Sequence, residues 1–93
     1  MVKKIYKYKL KPITTIQDIQ LPWDAEILDI QMQPGVGMCF WAIVDPSKDN
    51  LRRQFRIFGT GWDLPYRFAD RYKHLKTLQD NGFVWHVFEV IGE

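Results

Sequence analysis

The residues best suited to chemistry in this chain surround a short glycine-containing segment, Gly59-Thr60-Gly61-Trp62. Two glycines can bring backbone N–H groups close to an anion, and the Thr60 hydroxyl can add a hydrogen bond. Guanidinium groups beside aromatic rings supply the forked donors and the stacking plane that a phosphate or a nucleobase requires. The arginines on either side of the segment are Arg52, Arg53, Arg56, Arg67 and Arg71. We therefore expect a ligand-binding site formed by these arginines together with Thr60 and Trp62.

The same residues also have simpler interpretations. Glycine often only permits a tight turn at the end of a strand, and surface arginines often only keep a small domain soluble. The segment lacks the further glycine, the lysine and the following helix of a phosphate-binding loop. A strand-ending turn and a solvated basic surface therefore remain as alternatives to the binding site.

His86 is a further candidate, because it lies in the middle of an apolar strand face. Such an imidazole can serve as an acid, a base or a ligand contact near neutral pH, or it can be a core residue with both nitrogens hydrogen-bonded. Neither His86 nor His74 has a nucleophile and an orienting carboxylate in a recognisable order. We include His86 among the binding residues, expect no catalytic residue and do not expect an enzyme.

Composition and charge exclude several classes of function. The net charge is +2, and the tyrosines of the N-terminal strand alternate away from its lysines, so nucleic acid is not an expected partner. One cysteine, Cys39, and two histidines provide no metal-ligand spacing, and no cofactor is expected. Glu26 and Asp29 alternate to opposite faces of a predicted strand, which argues against a carboxylate pair. Without a signal peptide or an 18-residue apolar stretch, the expected compartment is the cytoplasm, with no membrane association.

Hydrophobic periodicity predicts the elements that must position these residues. A chain of 93 residues indicates a single domain over 1–93. Residues 3–10 alternate as a strand, residues 14–21 predict a short strand with a bulge, and residues 25–33 predict a strand with Leu28, Ile30 and Met32 inward. Residues 38–44 and 83–90 are apolar on both faces, which is typical of strands covered on both sides.

The stretch from 63 to 81 is ambiguous. Phe68, Tyr72, Leu75 and Leu78 have helical spacing, and this local pattern slightly favours a helix. The sequence Asp80-Asn81-Gly82 between two strand-like segments instead predicts a hairpin turn.

The order of several short motifs resembles a family of small domains of unknown function found in tailed phages and prophages. The motifs include Trp41-Ala-Ile-Val-Asp, Phe55-Arg-Ile-Phe-Gly-Thr-Gly and Phe83-Val-Trp-His-Val-Phe-Glu, and the resemblance covers nearly the whole chain. It implies a compact all-β domain, a phage or prophage origin and a strand over 72–79, although Lys76 stands where the family has glycine. It implies no catalytic residues.

These observations lead to one expected fold and two expected functions. The fold is all-β, a small antiparallel sandwich or partly closed barrel of six to seven strands with a short helix near 64–70. The first function is a non-enzymatic, homo-oligomeric binding protein that sequesters an anionic, nucleotide-like ligand, such as a host immune signal, at a subunit interface. The alternative is an inhibitor or adaptor that binds a host or phage protein through exposed Trp, Tyr and Arg side chains.

Overall fold

Residues 2–92, the part of the chain that the computed structural model describes, contain seven strands and one short helix. They follow in the order β1 (Lys4–Lys9), β2 (Gln17–Pro22), β3 (Glu26–Gln33), β4 (Gly37–Val44), β5 (Asn50–Gly59), α1 (Phe68–Arg71), β6 (Tyr72–Asp80) and β7 (Phe83–Val90). A three-stranded sheet has the order β1-β4-β3, and a four-stranded sheet has the order β2-β5-β7-β6. All five strand pairings are antiparallel. Because the strands form two separate sheets, the expected antiparallel sandwich is confirmed and the sheets do not close into a barrel.

The two sheets enclose one apolar core. Phe40 of β4 packs against Phe55 of β5, with ring centroids 5.4 Å apart, and both side chains are fully buried. Leu10, Ile30 and Val87 complete the centre of this layer. Because burial of each such side chain contributes roughly 1.5–3 kcal/mol, this inner layer provides the main driving force for folding.

The ambiguous stretch is resolved in favour of a strand. Tyr72–Asp80 pairs with β7, and only Phe68–Arg71 is helical, which confirms the short helix near 64–70. The connection is a two-residue turn in which Asn81 and Gly82 have φ angles of 48° and 90°. Two successive positive φ angles define the hairpin turn that Asn-Gly favours, so turn chemistry and strand pairing prevail over the helical spacing.

Two expectations about bulges and strand faces are wrong. The 17–22 strand pairs with β5 in regular register, whereas the bulges lie in β3, between Ile27 and Asp29, and in β6, between His74 and Lys76. The extra residue in β3 interrupts the alternation, which leaves Leu28 exposed instead of inward.

The same bulge changes the relation between two carboxylates. Glu26 lies opposite Ile43, and Asp29 lies opposite Trp41 two residues earlier in β4, so both point to the outer face of the three-stranded sheet. The expectation that Glu26 and Asp29 lie on opposite faces is therefore wrong. In residues 2–92 the one helix is far too short to cross a membrane.

Candidate functional site

The outer face of the four-stranded sheet carries a connected group of polar side chains. Strand alternation turns Phe55 and Ile57 into the core and turns Phe58 and its partner His86 outward. Thr60 follows the end of β5, and its hydroxyl lies 2.7 Å from His86 Nε2. The turn around Thr60 is closed by a hydrogen bond from the Trp62 N–H to the Gly59 carbonyl.

Two further side chains extend this group across the hairpin. Thr77 lies opposite His86 in the β6–β7 ladder, and its hydroxyl is 3.0 Å from His86 Nδ1. The same hydroxyl is 2.9 Å from His74 Nε2. A continuous hydrogen-bonded chain therefore connects Thr60, His86, Thr77 and His74, which we call the Thr–His chain.

A cluster of aromatic rings lies beside the Thr–His chain on the same outer face. Phe68 of α1 packs edge-on against Phe58 and Phe88 and stacks on Tyr72, with ring centroids 4.8–5.4 Å apart. Phe58 and Tyr72 are consequently buried although they point away from the main core. The segment from 60 to 71 therefore covers part of this face, and the Thr–His chain lies at its uncovered margin, where His74 packs edge-on against Phe88.

Two of the expected arginines border the aromatic cluster. The Arg56 guanidinium lies 4.8 Å from the Phe58 ring centroid and donates a hydrogen bond of 3.1 Å to the Tyr72 hydroxyl. Arg71 lies over the Tyr72 ring and donates to the Tyr66 carbonyl. Both guanidinium groups add positive charge to the same face as Thr60 and His86.

The other arginines are placed differently. Arg53 points into the sandwich, where it binds Glu89 and the Ala25 carbonyl. Arg67 pairs with Asp70 on the surface. Arg52 lies on the same face as Arg56, with its guanidinium 3.8 Å from the Asp18 carboxylate.

Trp62 lies on the opposite side of the four-stranded sheet from Thr60 and His86. Gly59 follows Ile57 on the inward face, and the Trp62 ring occupies the place where a Gly59 side chain would begin. From there it packs edge-on against Trp85, with ring centroids 5.9 Å apart. The structure thus brings Arg56, Arg71, Thr60 and His86 to one face, together with Arg52, and separates them from Arg53 and Trp62.

An apolar cleft opens between the sheets at the end of the sandwich near Trp62. Its volume is about 240 Å³, and its walls include Leu10, Ile13, Met38, Ile57 and Trp85, with Lys9 and Asp80 also in the lining. None of the eight side chains expected in the binding site lines this cleft.

Sequence reasoning missed Thr77 and His74 as members of the site. The contact of Thr77 with His86 could have been predicted, because a hairpin through Asn81-Gly82 places residues 77 and 86 opposite each other. The contact of His74 with Thr77 could not be inferred in this way, because it depends on the bulge between His74 and Lys76.

The fold and the site together define a small antiparallel β-sandwich with a hydroxyl–imidazole chain on one outer face. The whole chain, residues 1–93, matches a domain of unknown function, DUF7352, and the protein belongs to that family. Comparison with curated proteins and with solved structures found no significant match.

Proposed function

We propose that the protein is a non-enzymatic binding protein that takes up a small anionic ligand of the nucleotide class on the outer face of its four-stranded sheet. The observation that carries this proposal is the Thr–His chain, in which hydrogen bonds hold Thr60 and His86 on the same face as Arg56. A phage or prophage origin, and with it the sequestration of a host immune nucleotide in the cytoplasm, remains part of the proposal.

The chemistry of this face suits such a ligand. The Thr60 hydroxyl, held by His86, can donate a hydrogen bond to a phosphate oxygen, and the guanidinium groups of Arg52, Arg56 and Arg71 supply positive charge. Tyr66, on the segment that covers the face, is 84% exposed and offers a ring on which a base could stack. These groups provide the two features that a nucleotide needs, a cationic margin and an aromatic surface.

The environment of His86 favours binding over catalysis. Its two ring nitrogens contact the hydroxyls of Thr60 and Thr77, rather than a nucleophile on one side and a carboxylate on the other. A hydroxyl orients an imidazole but does not stabilise an imidazolium as a carboxylate does. The arrangement therefore holds the ring in place between two hydroxyls.

Calorimetric titration and thermal-shift measurements test this proposal, with mononucleotides, cyclic dinucleotides and inorganic pyrophosphate as the probes. We expect at least one phosphorylated probe to raise the unfolding temperature, as any ligand of the folded state must. Thr60→Val should weaken its binding by about tenfold or more, since it removes a hydroxyl that can donate to a charged group. His86→Gln should also weaken binding, since it removes the ring that holds the Thr60 hydroxyl in place. Lys48→Gln is the matched control, because residue 48 precedes β5 at the end remote from Thr60.

The proposal is contradicted if no phosphorylated probe stabilises the protein at about 1 mM, a concentration that detects even weak sites. It is also contradicted if binding is unchanged in Thr60→Val and His86→Gln. Conversion of a bound nucleotide to product would overturn the non-enzymatic assignment.

A second candidate function, an inhibitor or adaptor of another protein, is favoured by the aromatic end of the sandwich. Phe83 is 63% exposed and stacks on Trp85, which also contacts Trp62. Exposed aromatic side chains beside an apolar cleft are typical of the centre of a protein interface. A partner that inserts an apolar side chain into the 240 Å³ cleft would cover this group.

Affinity capture from a host lysate tests the second candidate. We expect the wild type to retain a host protein that Phe83→Ser no longer retains. Leu51→Ser is the control and should still retain it, since Leu51 is an exposed side chain at the start of β5, remote from Gly59 and Trp62 at its end. Recovery of the bait alone, or capture that Phe83→Ser leaves unchanged, would exclude the adaptor.

A further inference from the structure

The outer face of the three-stranded sheet is apolar along its central strand. β4 turns Trp41 and Ile43 to this face, where both are half-buried. Ile5 of β1 lies opposite Ile43 and is 61% exposed, and Leu28 at the β3 bulge is 46% exposed. An apolar surface of this kind therefore faces solvent, in contrast to the outer face of the other sheet, where Phe68 covers the rings of Phe58 and Phe88.

The sequence of β4 is that of a strand with a layer on each side. Residues 38–44 are apolar throughout, a pattern typical of strands buried on both faces. Phe40 and Ala42 account for the inner face, since both are buried in the core. Within residues 2–92 no equivalent layer covers the outward Trp41 and Ile43, although the strand is the centre of its sheet.

Charges of opposite sign border this apolar strip. Lys7 and Asp29 lie in one row across the sheet, on either side of Trp41. Lys9 shares the β1 edge with Lys7, and Glu26 shares the β3 edge with Asp29 because of the bulge. The surface thus has a basic edge along β1 and an acidic edge along β3.

The charge on Asp29 is well maintained. Hydrogen bonds from Lys76 Nζ at 2.8 Å, from the Gln31 amide and from the Ile30 N–H hold the pKa of the Asp29 carboxyl below its ordinary value. Asp29 is therefore ionised at neutral pH, and its carboxylate, which is shared with Lys76, remains 37% exposed at this edge.

We propose that two copies of the chain form a dimer in which these apolar faces pack against each other about a twofold axis parallel to β4. Rotation about such an axis places β1 of one copy over β3 of the other, so that Lys7 faces the partner subunit's Asp29, and the reverse contact forms by symmetry. A twofold axis across the strands would instead place lysines over lysines. In this dimer the two three-stranded sheets would pack face to face, about 10 Å apart and with nearly aligned strands, as sheets do within a β-sandwich.

This dimer would account for the homo-oligomer that the sequence analysis expects. The proposed dimer does not depend on ligand binding, because the four-stranded sheets with their Thr–His chains lie on the far sides of the two copies. A nucleotide would then bind outside the interface, contrary to the expectation of a ligand between subunits. Ligand titration and self-association are separate measurements, so either proposal can fail without the other.

Sedimentation equilibrium over a range of concentrations tests the dimer through charge exchange. Lys7→Glu and Asp29→Lys should each raise the dimer dissociation constant about tenfold or more, because each creates two like-charge contacts. The double variant Lys7→Glu/Asp29→Lys should restore association. An equimolar mixture of the two single variants should form a heterodimer. In that heterodimer the introduced carboxylate at position 7 faces the introduced ammonium at position 29, and the native Lys7 faces the native Asp29.

Two control variants separate the interface from other effects. Lys11→Glu makes the same charge change in the loop after β1 and should leave association unchanged. Lys76→Gln removes the intramolecular partner of Asp29 and leaves its carboxylate to the partner subunit's Lys7, so this variant should not raise the dissociation constant. Circular dichroism confirms that each variant is folded.

The dimer is overturned if the folded wild type is monomeric at concentrations on the order of 1 mM, where even weak complexes form. It is also overturned if both single variants associate like the wild type, or if neither the double variant nor the mixture recovers association.

Discussion

The Arg53 guanidinium binds the Glu89 carboxylate through hydrogen bonds of 2.6 and 2.7 Å at the margin of the core. Its third contact, 2.7 Å to the Ala25 carbonyl, reaches the residue that precedes β3 in the other sheet. The side chains are only 23% and 14% exposed. This pair therefore ties the two sheets together.

We expect Glu89→Gln and Arg53→Gln each to lower the free energy of unfolding by about 2–4 kcal/mol, since each leaves a largely buried charge without its partner. Urea denaturation measures the change. Arg52→Gln provides the control and should cost less than about 0.5 kcal/mol, because its contact with Asp18 is 3.8 Å long and exposed. If Arg53→Gln and Arg52→Gln lowered the free energy of unfolding equally, the Arg53–Glu89 pair would contribute no more to stability than an exposed ion pair.

The Gly59–Trp62 contact makes a second prediction. A side-chain carbon at position 59 would lie 2.6 Å from the Trp62 ring, so Gly59→Ala must displace that ring from Trp85. We expect a loss of about 1–3 kcal/mol in unfolding free energy and a change in tryptophan fluorescence. The same substitution in a Trp62→Ala background should cost about 1 kcal/mol less, and an undiminished cost there would exclude the ring as the cause.

The shared hydroxyl of Thr77 restricts the protonation of the two imidazoles. Thr77 Oγ1 lies within 3.0 Å of both His74 Nε2 and His86 Nδ1, but it carries one hydrogen and can donate to only one of them. At least one of these two nitrogens must therefore carry a proton. Nitrogen-15 NMR of the imidazoles at about pH 8 would detect the proton on His74 Nε2 or His86 Nδ1. If both of these nitrogens were unprotonated, the hydrogen bonds of the Thr–His chain could not both form.

Acid should weaken the fold in part through Asp45. Hydrogen bonds from the hydroxyl and the N–H of Ser47, at 2.6 and 3.0 Å, hold the pKa of the Asp45 carboxyl below its ordinary value. A lowered folded-state pKa means that this stabilisation is complete above the unfolded pKa of about 3.9 and is lost as the pH falls through the lower folded value.

The variant Asp45→Asn checks this sign. Between about pH 5 and pH 2, its urea midpoint should fall less with acid than that of the wild type. An equal slope in the two proteins would show that Asp45 does not contribute to the acid sensitivity.

Much of the fold follows from short-range patterns. The two-sided strands 38–44 and 83–90, the hairpin turn at Asn81-Gly82 and the outward position of Arg56 were all predictable, because a strand alternates its side chains with a period of two. The choice between helix and strand at 72–80 was less accessible, since its local spacing suited both.

The sequence by itself determined that most segments are strands and which side of a regular strand faces the core. Only the tertiary structure decided that Thr60 meets His86, that Arg53 is held inside by Glu89, and that the β3 bulge brings Glu26 and Asp29 to one face. Alternation is a property of the local backbone and can be counted along the chain. Partner strands and bulges are selected by hydrogen bonding and packing between segments far apart in sequence, so they depend on the assembled sandwich.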